Sequence, residues 1–342
     1  DCKILAFKSK APAAPEGHVN NLRVLYSTSG DSAKRTVRPT RHIARKPVRV
    51  LDAPDISDNY YLNLLDWGAA NVLAIGLGSA VYLWDAATGG ISQMCTLEGG
   101  ETVTSVSWIK EGAGYLAVGT SDADVQLWDA AAGRQVRSMR GHASRVGAMS
   151  WNKHILSTSS RDTSIHHHDV RVSSHHVATL AGHTQEVCGL AWSPDGTTLA
   201  SGGNDNLLNL WDARLSSSNY DSTPRVSCAE HNAAVKALAW SPHEANLLAS
   251  GGGSADRCIK FWNASTGSCT NSIDTGSQVC SLLWSPHAPE LLSSHGYSRN
   301  EISLWRYPSM TKMAELHGHT QRVLHMTASP DGRHVASASS DE

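Results

Sequence analysis

Tryptophan recurs in this chain with a period near 40 residues, and that spacing constrains the fold more than any other feature. One series stands at Trp67, Trp108, Trp151, Trp192, Trp240 and Trp284, closing apolar runs at steps of 41, 43, 41, 48 and 44 residues. Ala328 continues it a further 44 on. A second series follows at Trp84, Trp128, Trp211, Trp262 and Trp305, with His168 in the slot between Trp128 and Trp211. Runs such as Leu199-Ala200-Ser201-Gly202-Gly203 lie between the two, and Gly182-His183 or Gly318-His319 opens a unit. Units of this length with Gly-His and Trp-Asp marks are four-stranded antiparallel blades. Seven inner strands predict an all-β chain, a seven-bladed WD-repeat β-propeller.

The residue types inside one unit explain the spacing. In the fourth, His183, Ser201, Asp205 and Trp211 are set to converge as a buried chain. The Asp accepts from His, His meets the Ser hydroxyl, and Ser meets the indole N–H, at about 1 kcal/mol per net bond. His142, Thr158 and Asp162 repeat the pattern in the third unit with His168 for Trp, and His319, Ser337 and Asp341 repeat it in the last. The second unit carries Gly99-Gly100 and Val118 instead and lacks it. Ser-Pro pairs at Ser193, Ser241, Ser285 and Ser329 read as tight turns rather than modification sites, since Pro fixes φ there.

Residues 47–342 form the propeller on this reading, and 1–46 an extended arm. The chain stops at Glu342, just after the second strand of the last blade, which leaves that blade incomplete. The outer strand is expected from Pro47-Val48-Arg49-Val50-Leu51-Asp52, and a third strand from residues C-terminal to Glu342. The arm has little periodicity, with Ala and Pro concentrated at 11–16. From Lys34 to Arg49 it carries seven basic residues and no acidic one, a solvated linker or a contact for nuclear import or an acidic partner. Lys3-Ile4-Leu5-Ala6-Phe7 is a compact apolar segment, suited to joining a partner as an added strand.

Several function classes fall away. With 29 basic against 31 acidic residues, no global field draws nucleic acid or an anionic membrane. No apolar stretch is long enough to span a bilayer. Seven dispersed cysteines without a C-x-x-C pair fit a reducing compartment, nucleus and cytoplasm. Ser201, His183 and Asp205 have the types of a hydrolase triad, but the blade network accounts for each and no G-x-S-x-G elbow exists, so no enzyme is expected. His166-His167-His168 alternates across a strand, with His175-His176 nearby; lacking a Cys or carboxylate at ligand spacing, it reads as structural, and no metal or cofactor is expected. Trp211-Asp212-Ala213-Arg214 matches the W-D-x-R pattern of cullin-ligase receptors, leaving that role and a general scaffold as rival readings.

Longer stretches go beyond propeller signatures: Leu51-Asp52-Ala53-Pro54-Asp55, Tyr60-Tyr61-Leu62-Asn63-Leu64, Gln185-Glu186-Val187-Cys188-Gly189-Leu190, and Ser201-Gly202-Gly203-Asn204-Asp205-Asn206. With Gly251-Gly252-Gly253, Ser277-Gln278-Val279-Cys280 and Gly318-His319-Thr320-Gln321-Arg322-Val323-Leu324, they resemble the Fizzy family, co-activators of the anaphase-promoting complex, a ubiquitin ligase. Lys3-Ile4-Leu5 and His166-His167-His168-Asp169-Val170-Arg171 resemble its mitotic branch.

The resemblance implies a receptor for short degrons in substrates such as cyclin and securin. It implies that Lys3, Ile4, Leu5, Ala6 and Phe7 are captured by the mitotic-arrest-deficient HORMA checkpoint protein, although Ala6 stands where Arg is common. It also implies that Asn59, Tyr82, Asn204, Asn206, Ser254, Gln278 and Arg322 bind the Lys-Glu-Asn box of substrates and of a checkpoint pseudosubstrate. Arg322 is suited to the degron Glu, and Asn204 and Asn206 to amide and backbone groups. Family members often carry Asp at the position of Asn59, which leaves the partner of the degron Lys open. Asp52 and Glu342 resemble the acidic pair for the destruction-box Arg, with Leu51 near its Leu pocket. Replacing Ile4 and Leu5 by Asp should abolish capture by the checkpoint protein in a pull-down; undiminished capture would rule out strand addition.

Overall fold

The computed structural model describes residues 41–110, 114–213 and 223–341. The unit that begins at Arg45 is compact and holds every strand described. Lys3 to Phe7, Arg214 and Glu342 lie outside the described residues.

Six four-stranded antiparallel sheets run over 65–96, 103–140, 146–181, 187–228, 235–274 and 279–316, each in simple meander order. A two-stranded sheet at 323–339 follows. The first tryptophan series closes inner strands, as in Val187–Trp192 and Val235–Trp240, and the second lies on third strands, as in Leu208–Asp212 and Cys258–Asn263. Successive inner strands touch around a closed ring, the first blade's Leu65–Trp67 meeting the last blade's Val323–Ala328. Leu64 N–H donates to His325 Nδ1 across that closure at 3.4 Å.

The buried networks take the predicted form. His183 meets Asp205 at 3.1 Å and Ser201 Oγ at 2.7 Å, and Trp211 Nε1 donates to the same Ser201 oxygen at 2.8 Å. A β-carbon at Gly203 would lie 2.5 Å from Asp205 Oδ1, so a larger residue here would have to displace the Asp205 carboxylate. Blade three holds His142 between Asp162 and Thr158, with His168 Nε2 3.2 Å from Thr158 in place of the indole. His319 binds Ser337 and Asp341 in the last blade, and in blade two Trp128 Nε1 turns to Gln126 beside buried Val118. Blade five contains a network that the Gly-His pattern misses: His231 meets Asp256 at 2.7 Å and Ser250 at 2.6 Å, and Trp262 donates to Ser250. The Ser193 and Ser329 hydroxyls are buried and bonded to Asp195 and Asp331, as turn residues should be.

One expectation needs correction. Pro47–Asp52 forms no strand: Val48 and Val50 are exposed, and Arg49 lies 5.5 Å over the Trp84 ring of blade one. An outer strand needs the backbone edge of a third strand, and among the described residues the last blade has only two. The histidines of blade three, in turn, gain His142. Its ring nitrogens lie within 4.8 Å of those of His166 and His168, but the rings of His142 and His166 stack at 4.0 Å and 10°. Parallel rings send their in-plane lone pairs side by side instead of to one point, which suits packing and hydrogen bonding better than a shared ion.

Ser201→Ala leaves the buried His183 Nε2 and Trp211 Nε1 both without partners, so unfolding midpoints in urea should show a loss of about 2–4 kcal/mol; the Val118 position in blade two offers the network-free comparison. Burial and neighbouring imidazoles push His166 and His167 down to about 4 and His168 to about 2, against an ordinary value of 6.5. Unfolding at acid pH therefore takes up protons, so stability is full above about pH 6.5 and declines as pH falls toward 4. Urea midpoints measured across that window should fall, and His167→Gln should flatten the decline.

Candidate functional site

One segment links the blades at the mouth of the channel. Tyr60 is buried, and its hydroxyl donates to Ala234 O and Val279 O, at the entries of blades five and six. Tyr61 Oη donates to Asn204 Oδ1 of blade four at 2.8 Å. Asn63 Nδ2 reaches Gly147 O and Cys188 O of blades three and four, and its backbone pairs with blade two through Thr104 and Val106. With Leu64 on His325, this run of five residues touches every blade beyond its own. An aromatic, a hydroxyl and an amide reach where a strand could not, because each ends in a polar group that the inner-strand carbonyls can satisfy.

Beside this segment the ring opens into a cleft of about 700 Å³, with Asn59, Asn204, Asn206, Ser254, Gln278 and Arg322 in its lining. The turns after the second strands of blades four and five supply Asn204, Asn206 and Ser254, and Asn206 takes a left-handed φ of 65°, which Asn tolerates. Gln278 and Arg322 precede the inner strands of blades six and seven. Asn204 is held from both sides, accepting from Tyr61 and donating to Gln185 Oε1 at 2.6 Å. Arg145 and Glu186 form a two-pronged pair at 2.8 Å beneath it, with the guanidinium 5.7 Å from the Tyr61 ring. The Glu186 hydrogen bond raises Arg145 further, and burial raises the Tyr61 phenol, so both keep their protons at neutral pH.

Arg322 is the cation of the cleft. Its Nε and Nη2 meet Asp58 Oδ1 at 2.9 and 2.8 Å, Nη2 also donates to Asp58 O, and Nη1 approaches Gln278 Oε1 at 3.4 Å. The Tyr297 ring lies 5.3 Å from the guanidinium. Both charges stay part-exposed, the Arg side chain at 17% and the Asp at 34%, so the pair is reachable by an incoming peptide.

Six of the seven predicted Lys-Glu-Asn positions thus share one cleft, and Tyr82 does not. It sits within the third strand of blade one, opposite Ile75 and Gln93 and two residues before Trp84, a position that is strand in other blades as well, as at Gln126, Asn209 and Lys260. Leu51 and Asp52 are exposed in irregular backbone ahead of the first blade, while Glu342 falls outside the described residues, so only part of the destruction-box set is in view. Sequence reasoning missed Asp58, Tyr61, Arg145 and Glu186. Asp58 adjoins Asn59 and was the one available signal, a carboxylate a single residue from the family's acidic position.

A family model described as the CDC20/Fizzy WD40 domain matches residues 51–342. The chain is 55% identical over 348 residues to the Dictyostelium discoideum anaphase-promoting complex subunit cdc20, covering 100% of this chain and 69% of that one. It is equally, 55%, identical over 342 residues to Arabidopsis thaliana cell division cycle 20.1, cofactor of APC complex, covering 99% and 74%. Among solved structures, one titled Crystal Structure of Mitotic Checkpoint Complex contains a chain that superposes with a TM-score of 0.85 at 45% identity, covering 100% of this chain and 97% of that one. Matched along its whole ring, the chain belongs to the CDC20/Fizzy family of WD-repeat propellers.

Proposed function

We propose that this chain is a non-enzymatic co-activator of the anaphase-promoting complex that recognises substrates by gripping degron peptides at its channel mouth. The observation that carries the reading is the cleft itself, where asparagine amides, a glutamine and a single arginine from blades four to seven meet beside Asn59. The relatives bear the names of anaphase-promoting complex subunits and cofactors, and the similar solved chain comes from a mitotic checkpoint assembly. Partners follow accordingly: the ligase, degron-bearing substrates, the HORMA checkpoint protein at Lys3 to Phe7, and a pseudosubstrate with its own Lys-Glu-Asn box. Leu51, Asp52 and Glu342 serve the destruction box on the same reading, and the protein works in nucleus and cytoplasm.

The cleft suggests how a Lys-Glu-Asn box is read. In the free receptor Arg322 is already neutralised by Asp58. An incoming Glu competes for the guanidinium, and as it takes hold the Asp58 carboxylate turns to the degron Lys. One internal ion pair is exchanged for two intermolecular ones, so neither receptor charge is left uncompensated. Asn204, fixed by Tyr61 and Gln185, presents its remaining hydrogen-bonding capacity to the peptide's amides.

Peptide binding to the purified propeller tests this directly. Arg322→Glu should weaken a Lys-Glu-Asn peptide about 30-fold or more, the equivalent of about 2 kcal/mol, and unchanged affinity would remove the cleft assignment. Asp58→Asn should weaken a Lys-Glu-Asn peptide but not an Ala-Glu-Asn peptide; equal losses for both would mean that Asp58 does not receive the lysine.

A further inference from the structure

The turn after the second strand of blade six presents an aromatic ring to solvent beside the cleft. Tyr297 is 57% exposed, and it is the one exposed aromatic side chain among the described residues. A single exposed apolar residue is ordinary on a protein surface. Tyr297 differs because its turn is fixed and its ring abuts the two charges of the cleft.

The turn is pinned from both sides. Gly296 N–H donates to Gln278 O at 3.0 Å, while Ser277 Oγ donates to Gly296 O at 2.7 Å and to Tyr297 O at 2.9 Å. Asn300 Nδ2 donates to Thr320 O of blade seven at 2.8 Å, shortly ahead of Arg322. A β-carbon at Gly296 would lie 2.7 Å from Gln278 Oε1 and 3.2 Å from Arg322 Cδ, so the bare glycine lets this turn close onto the cation of the cleft. The Tyr297 ring that follows has Arg322 Cζ 5.3 Å from its centroid, and its Oη reaches Asp58 Oδ2 at 3.5 Å. Guanidinium and carboxylate thus hold the ring from the cleft side, and the rest of its surface stays open.

We infer that Tyr297 is a specificity-determining residue, whose open ring takes an apolar side chain at the peptide position immediately before the Lys of a Lys-Glu-Asn box. The inference rests on the reading of the cleft given above, in which Asp58 receives the Lys and Arg322 the Glu. Tyr297 touches both of those residues, whereas Asn204 and Asn206 stand on blade four, two blades round the ring. The flank that passes Tyr297 is therefore the one at the Lys end. Tyr297 does not itself line the cleft, so it adds a contact outside the three box residues instead of duplicating one within them. An aromatic ring held in place before binding loses little conformational freedom when a side chain packs on it, which makes it an efficient surface for one aliphatic residue.

Binding of acetylated peptides to the intact chain, followed by fluorescence anisotropy, tests the contact. The peptides differ only at the residue before Lys, Leu in one and Ala in the other. Leu-Lys-Glu-Asn should bind about fivefold tighter than Ala-Lys-Glu-Asn, the effect of half-burying one Leu side chain. That ratio should fall below about twofold in Tyr297→Ser and persist in Tyr297→Phe, which keeps the ring and loses only the hydroxyl. Equal affinities for the two peptides on the unaltered chain, or a preference for Leu that survives Tyr297→Ser, would overturn the inference and leave the cleft reading standing. If neither peptide binds, the cleft reading itself fails and this inference falls with it.

Discussion

The indole N–H is the interaction on which the ring rests. Three tryptophans of the second series, Trp211, Trp262 and Trp305, donate inward to the Ser hydroxyl of their own blade, Ser201, Ser250 and Ser293. Four of the first series reach back to the preceding blade: Trp151 to Ser107 O, Trp192 to Ser157 Oγ, Trp240 to Ala191 O and Trp284 to Ala239 O. In blades four to six the second series ties the sheet together, and from blade three to blade six the first series ties each sheet to the one before it. A large apolar ring with one donor does both because it buries area and satisfies a carbonyl at once. Blade three shows what replaces it: His168 takes the indole's place, and a cluster of neutral imidazoles fills the volume.

Closure of that ring is what creates a receptor. Asp58 and Arg322 are 264 residues apart, yet they form an ion pair because the first and last blades meet. The run from Tyr60 to Leu64 gains its role in the same way, since only a closed toroid brings the entries of six blades within reach of five residues. A polar rim laid over such a hub is well organised before any peptide arrives. Binding then costs little in receptor ordering, which favours recognition of short unfolded tags.

Much of this was legible in advance. Strand ends at the tryptophans, the His183-Ser201-Asp205-Trp211 network, the absence of that network from blade two and the clustering of Asn204, Asn206, Ser254, Gln278 and Arg322 all followed from spacing, residue type or resemblance. The failures have physical causes. His231 escaped notice because Glu230 precedes it instead of Gly and the following turn is longer, which moves Asp256 out of register with Asp205. Tyr82 was grouped with the rim by resemblance alone, and it lies outside the cleft lining because its position, two residues before Trp84, is inside the third strand. Pro47–Asp52 had the composition of a strand, but a strand exists only where an edge accepts it.

The sequence by itself determined the number of blades, the order of their strands and the hydrogen-bond chemistry within each, because all of these repeat inside about 40 residues and depend on neighbours along the chain. Only the tertiary structure decided which polar turns share a cleft and that Asp58 neutralises Arg322. Those facts depend on distances between residues that the chain separates by up to 264 positions. Read along the sequence each is a polar residue in a turn or a strand, and a charge acquires its partner only when the backbone has closed around it.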